Sequence, residues 1–147
     1  MNLSTKGRYG TRALIDLAAR YGQGPVMLKD ISARQQISER YLEQILAPLK
    51  AAGLVRVSRG AHGGFALARH PATIRVIDIV QIMEGSTAPT VCVDDAAICP
   101  RSGVCVVRDL WSRIKEATDS VLSTTSLEDL VEKQQEADLR AARASNC

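Results

Sequence analysis

The residues best equipped for chemistry in this sequence are its four cysteines, Cys92, Cys99, Cys105 and Cys147. Three fall within fourteen residues as C-x6-C-x5-C, in a segment that also holds Pro89, Pro100 and Gly103. Three clustered thiols cannot all pair as disulfides, and a reducing compartment disfavours structural disulfides anyway. Structural zinc sites usually close on C-x2-4-C pairs, which the segment lacks. The two histidines, His62 and His70, lie upstream in a different segment. Iron–sulfur clusters spread thiolate ligands over several irons and tolerate wider spacing, and the Cys99-Pro100 pairing fits such a loop. Spacing alone leaves two readings open: three ligands of a cluster, or unconnected thiols in a mobile loop that serve redox sensing. Cys147, the last residue, is assigned no role.

The chain that must position these thiols has 147 residues, 46% hydrophobic and 24% charged, which fits one globular domain with or without a dimerisation arm. Three Tyr, one Phe and one Trp are too few for recognition by stacked bases. No apolar run approaches the roughly 18 residues of a membrane span, and MNLSTKGRYG lacks the apolar core of a signal peptide. The expectation is a soluble, cytoplasmic protein without a membrane partner. Net charge is +3, but it is unevenly spread: residues 1–70 hold eleven Lys/Arg against four acids, residues 71–147 eight against twelve. A basic N-terminal half reads either as a solvated face or as a surface for phosphates.

The pattern of elements decides between them. Ser4 or Thr5 caps a first helix carrying Tyr9, Ala13, Leu14, Leu17, Ala18 and Tyr21 at helical spacing, ended by Gly22-Gln23-Gly24-Pro25. Met27 to Gln35 reads as a short second helix with Leu28, Ile31 and Ala33 inward. Gln36-Ile37-Ser38 is a tight connection, and Ser38 caps a third helix carrying Tyr41, Leu42, Ile45, Leu46, Leu49 and Ala52, with Pro48 as a kink and Gly53 as its stop. Leu54–Ser58 and Phe65–Leu67 read as strands around the turn Arg59-Gly60-Ala61-His62-Gly63-Gly64. This order is that of a winged helix-turn-helix, whose third helix enters the major groove while the hairpin tip reaches the backbone or minor groove. Glu39, Arg40, Glu43 and Gln44 are then placed to meet base edges, and Arg59 sits at a glycine-rich wing tip.

Beyond the wing, residues 73–84 read as a helix stopped by Gly85. A longer helix runs from Cys105 to about Ser123. Its Val107, Leu110, Ile114, Ala117 and Val121 repeat at three and four, a coiled-coil seam widened by Trp111 and Leu122, and the expectation is a homodimer interface. Ser126 and Asp129 form a capping box for a last helix, and the tail beyond Asp138 reads as loose. The fold class is therefore mainly α with a small β-hairpin: a winged helix-turn-helix plus a long C-terminal dimerisation helix. Its parts are a DNA-binding domain (1–70), a connecting helix (71–85), a cysteine loop (86–105) and a dimerisation helix with a C-terminal helix (105–147). A two-fold dimer presents two recognition helices to a pseudo-palindromic stretch of double-stranded DNA.

Together these residues resemble the iron–sulfur-sensing winged-helix regulators that include IscR, NsrR, RirA and the cluster-free CymR. The resemblance rests on Leu3-Ser4-Thr5-Lys6-Gly7-Arg8-Tyr9, Ile37-Ser38-Glu39-Arg40-Tyr41-Leu42-Glu43-Gln44, Ala52-Gly53-Leu54-Val55, Arg59-Gly60, Gly63-Gly64-Phe65, Leu67-Ala68-Arg69, and the three cysteines followed by Leu110-Trp111. It implies a dimeric DNA-binding regulator, in most members a repressor. It makes Cys92, Cys99 and Cys105 the cluster thiolates, with [2Fe–2S] favoured over [4Fe–4S]. Glu43, Gln44 and Arg59 become DNA contacts, and Ser38, Arg40, Tyr41 and Gly60 complete the expected DNA-facing set. The chain departs from the family where a fourth ligand would be sought. The position three after the last cysteine, a His in IscR-type members, is Arg108; first-helix acids or His used by others are replaced by Arg8 and Arg12. Glu43, Asp94 and Asp95, a water or a small thiol are the remaining fourth-ligand candidates.

Three readings therefore compete: a cluster-sensing regulator, a cluster-free regulator using its thiols or a partner protein, and a small iron–sulfur electron carrier. An enzyme is not expected, because the sequence has no P-loop, no G-x-S-x-G and no HExxH.

Overall fold

A computed structural model describes residues 2–146. Helix α1 (Thr5–Ala19) begins at Ser4, whose hydroxyl accepts from the Gly7 amide at 3.2 Å. Its buried stripe includes Ala13, Leu14 and Leu17, while Tyr21 lies past its end and is exposed. Helix α2 (Leu28–Gln35) is narrower than its sequence suggests. It buries only Ile31 and leaves Ala33 exposed, because Ile37 fills the core after the turn instead. Gln36 makes that turn in the left-handed region at φ 54°. Ser38 then caps α3 (Glu39–Ala51), accepting from the Tyr41 amide at 3.2 Å. Pro48 does not break α3. Its missing N–H leaves only the carbonyl of Gln44 without a helical donor, and Gln44 is exposed to water.

Strands β1 (Val55–Ser58) and β2 (Gly64–Leu67) pair antiparallel, with Val57 opposite Phe65 and Ser58 opposite Gly64. The hairpin is docked by a further bridge: Val26 and Phe65 exchange both backbone hydrogen bonds, at 2.7 and 2.8 Å. A 3-10 turn at Pro71–Thr73 leads into α4 (Val76–Glu84) and its stop at Gly85. The cysteine segment contains a single helical turn, α5 (Val91–Asp94), and two 3-10 turns, Ala96–Ile98 and Ser102–Val104. Helix α6 (Val106–Thr124) follows, and α7 (Leu127–Ser145) returns from Ser126, where Ser126 and Asp129 make the expected capping box.

The start of α7 belongs to the core of the N-terminal half. The Val76 and Leu127 amides donate to the Thr125 and Ile74 carbonyls at 2.9 and 3.0 Å, and Leu127 and Ile74 are fully buried. The tail beyond Asp138 is helical to Ser145 rather than loose; its alanines and arginines are strong helix formers even on an exposed helix. The architecture is a winged helix-turn-helix followed by long C-terminal helices. No described helix is long and apolar enough to cross a membrane.

One buried charge ties α1 to α2. Asp16 is 3% exposed and accepts from Arg34 Nε and Nη2 at 2.9 and 2.8 Å and from Gln35 at 3.1 Å, with Arg20 at 3.4 Å. Burial alone would raise this carboxyl, but the bonds from Arg34 and Gln35 and the two guanidinium charges outweigh it and hold it below the ordinary carboxylate range. Asp16→Asn is expected to lower stability at pH 7 by about 2 kcal/mol, the loss of a buried pair discounted for guanidiniums that are partly in water. A depressed carboxyl contributes its stability above its unfolded pKa and loses it as pH falls through the folded one. Denaturant midpoints of native and variant protein should therefore converge only below about pH 4. At Gly64 an added methyl would overlap the Val26 carbonyl. Gly64→Ala should undock the wing at a cost of about 2 kcal/mol, read from the melting temperature.

Candidate functional site

Two surfaces need positioning, and helix α3 builds the first. Leu42, Ile45, Leu46 and Leu49 are buried to 1% exposure or less, which turns Glu39, Arg40, Glu43, Gln44 and Ala47 outward. Of the expected DNA-facing residues, Ser38 is exposed but its hydroxyl already serves as the cap of α3. Tyr41 is half-buried and meets Tyr9 of α1 edge-on, with ring centroids 6.0 Å apart. Arg12 stacks over Tyr9 at 5.3 Å and also donates to the Gln35 carbonyl, so the α2–α3 turn and the start of α3 are both braced by α1. Arg59 and Gly60 are exposed at the wing tip, where Gly60 has φ 102° and its carbonyl accepts from the Gly63 amide at 3.0 Å. Among the described residues, Arg40, Arg56 and Arg59 have no carboxylate partner within ion-pair distance.

The cysteine segment is the second surface. Cys92 lies on α5, Cys99 between the two 3-10 turns, and Cys105 at the N-cap of α6; all three are free thiols of intermediate exposure. Cys147 lies outside the described residues. Among the described residues no three Cys, His, Asp or Glu side chains converge as a ready metal site. The thiols are therefore present and reduced but not gathered. Of the fourth-ligand candidates, Asp95 accepts from the Ala97 amide at 2.9 Å, Asp94 adds to the field that raises Lys115 beyond its bond to Asp119, and Glu43 is exposed on α3. In chemistry the donor set fits three ligands of an iron–sulfur cluster, with the fourth place unassigned by any side chain.

Several positioning residues were not foreseen from the sequence. Glu84, the last residue of α4, accepts from the Ser4 amide and hydroxyl at 3.0 and 2.6 Å and sits against Gly7. Arg108 donates from Nε to the Cys92 carbonyl at 2.7 Å. Thr87, 2% exposed, donates to Asp119, which also accepts from Lys115 at 2.6 Å. Of these, the Lys115–Asp119 pair carries a local signature, a spacing of four on one helix. The half-buried side of α6 carries Arg108, Trp111, Ser112, Lys115, Thr118, Asp119 and Leu122. Val107, Leu110, Ile114 and Val121 of the apolar seam are 41–65% exposed.

Comparison with known proteins agrees with this arrangement. Residues 3–133 match the model of the Rrf2 family, described as iron-dependent transcriptional regulators. The transcriptional regulator CymR of Bacillus subtilis is 43% identical over 130 residues, spanning 88% of this chain and 89% of that protein. The structure of CymR, the global cysteine regulator of B. subtilis, superposes with a TM-score of 0.77 at 41% identity, over 90% of this chain and 98% of that one. The structure of T. potens IscR gives 0.76 at 41% identity, over 93% and 90%. A winged helix-turn-helix thus stands on a chain that matches such regulators over nearly its whole length, and the protein belongs to the Rrf2 family of winged-helix transcriptional regulators.

Proposed function

We propose that the protein is a homodimeric promoter-binding regulator, acting as a repressor, whose DNA affinity follows the state of the cysteine segment. The observation that carries the DNA-binding part is the outward edge of α3 beside the wing, where Arg40 and Arg59 carry charge that no carboxylate among the described residues neutralises. Arg40, Glu43 and Gln44 are assigned to base edges, Ser38 and Tyr41 to the phosphates flanking them, and Arg59 with Gly60 to the wing contact. Cys92, Cys99 and Cys105 are assigned as ligands of an iron–sulfur cluster, [2Fe–2S] before [4Fe–4S], as the relation to IscR suggests. When bound, a cluster supplies a common centre for three thiolates that are otherwise apart.

The chain's own residues connect the two surfaces. The cysteine segment leaves α4 at Gly85, directly after Glu84, and Glu84 holds the capped start of α1 through Ser4. One turn on, Tyr9 braces Tyr41 at the start of α3. Ordering of the segment is thereby linked to the seating of the recognition helix, as a shift between two populations. A second reading, a regulator without a cluster, is favoured by the separated thiols and by the likeness to CymR. It uses the same path with thiol oxidation or a partner protein as the signal.

The dimer is assigned to the exposed seam of α6. Ile114→Glu should give a monomer in sedimentation and abolish tight binding to a two-half-site operator. Binding is best followed with duplexes selected from a random library. Arg59→Ala should weaken binding about ten-fold and lower the slope of log affinity against log salt by about one. Replacing Cys92, Cys99 and Cys105 together by Ala should leave the apo protein's affinity unchanged and remove any difference between anaerobically reconstituted and apo protein. Identical affinities of those two forms in the native protein would sink the cluster reading.

A further inference from the structure

Helix α6 holds the two ends of the cysteine segment unequally. Thr87 is fixed to Asp119, and five residues later the Cys92 carbonyl is fixed to Arg108 at 2.7 Å, so residues 87–92 are pinned at both ends to one side of α6. The Cys92 thiol is itself engaged, 3.2 Å from the Thr90 hydroxyl. Cys105 is also fixed, being the N-cap of α6, with its carbonyl accepting from the Asp109 amide at 3.3 Å. Arg108 stands one turn into α6, so Cys92 and Cys105 are both referred to that helix's first turns. The span between them is different. Among the described residues, every hydrogen bond of residues 95–104 runs to a partner within 91–104, and Ile98 and Val104 are 58% and 81% exposed.

We propose that Arg108 is the positioning residue of the thiol site: it presets Cys92 relative to Cys105 on α6 and leaves Cys99 as the one thiol that must travel. This deepens the cluster reading above and rests on it for its purpose, though not for its test. Arg108 supplies no ligand; its guanidinium acts through the backbone of the first cysteine. Closure of the site is then a motion of the 96–104 span alone, carrying Cys99 toward two thiols held in place.

The test is hydrogen–deuterium exchange on the full-length apo dimer, kept reduced and anaerobic. In native protein the amides of Val93 and Asp95, which donate to Thr90 and Val91, should exchange more slowly than those of 97–104. Arg108→Ala should speed exchange at 91–95 about ten-fold, the worth of one charge-assisted hydrogen bond, and leave 127–138 of α7 unchanged as the control for folding. Arg108→Lys, which keeps a charged donor, should restore most of the protection. Unchanged exchange at 91–95 in Arg108→Ala overturns the proposal. A second readout is the electron paramagnetic resonance signal of reconstituted, reduced protein, which Arg108→Ala should shift and Arg108→Lys should largely keep. If native protein takes up no iron and sulfide but exchange behaves as described, the cluster reading fails and the tether stands. If exchange does not respond to Arg108→Ala, the tether fails whether or not a cluster assembles.

Discussion

The approach of α1 to α4 rests on two glycines, and the remaining elements are arranged around it. A methyl at Gly7 would overlap the Glu84 carboxylate, and one at Gly10 would press on Met83 and Ile45 at 3.1 and 3.4 Å. With glycine at both, Glu84 reaches Ser4 and α4 lies flat against α1. Helix α1 also packs on α2, α3, α7 and β2. The first two turns of α1 are therefore the shared neighbour of the exit to the cysteine segment and the start of the recognition helix. Close-packed elements of this kind move as bodies between discrete arrangements rather than deforming smoothly. A change at Gly85 has a short route to Tyr41 for that reason.

Much of this was legible in the sequence because it is governed by short-range rules. The caps at Ser4, Ser38 and Ser126, the stops at Gly53 and Gly85, and the helical stripes of α1 and α3 all follow from residues within a few positions of each other. What escaped depends on partners far apart in the chain. The bridge from Val26 to Phe65 and the stitch from Ile74 to Leu127 carry no local signature. Asp16 sits among apolar residues of α1 as if it were exposed, and only the return of Arg34 makes its burial affordable. The inward placement expected of Ala33 failed for a similar reason: Ile37, beyond a left-handed turn, took the space.

Helix α6 shows how periodicity can be read correctly and still mislead about facing. Its apolar stripe is real, but the side turned to the rest of the chain is the mixed one bearing Arg108, Trp111, Lys115, Asp119 and Leu122. Trp111 and Leu122, read from sequence as widening the seam, belong to that inner side. The polar residues there find partners in Thr87, the Cys92 backbone and one another, so little of their hydrogen-bonding capacity is lost. A helix able to satisfy its polar face within the chain is free to leave its apolar face uncovered, and that exposed stripe is the surface the proposed dimer would bury.

The same division bears on how tightly the cysteine segment can hold a ligand. Ordering a residue's backbone opposes binding by roughly 1 kcal/mol or more, so fixing a wholly free segment of this length would oppose ligation by well over 10 kcal/mol. Residues 87–92 and Cys105 are already ordered by α6, which confines the remaining entropy loss to the span around Cys99. A site with all three thiols preset would bind with little accompanying change in the protein, and one with none preset would bind too weakly to report. In the proposed site, with two thiols held and one free, ligation and loop order would be a single event, and the loop's order is what α4 and α1 would pass to the recognition helix.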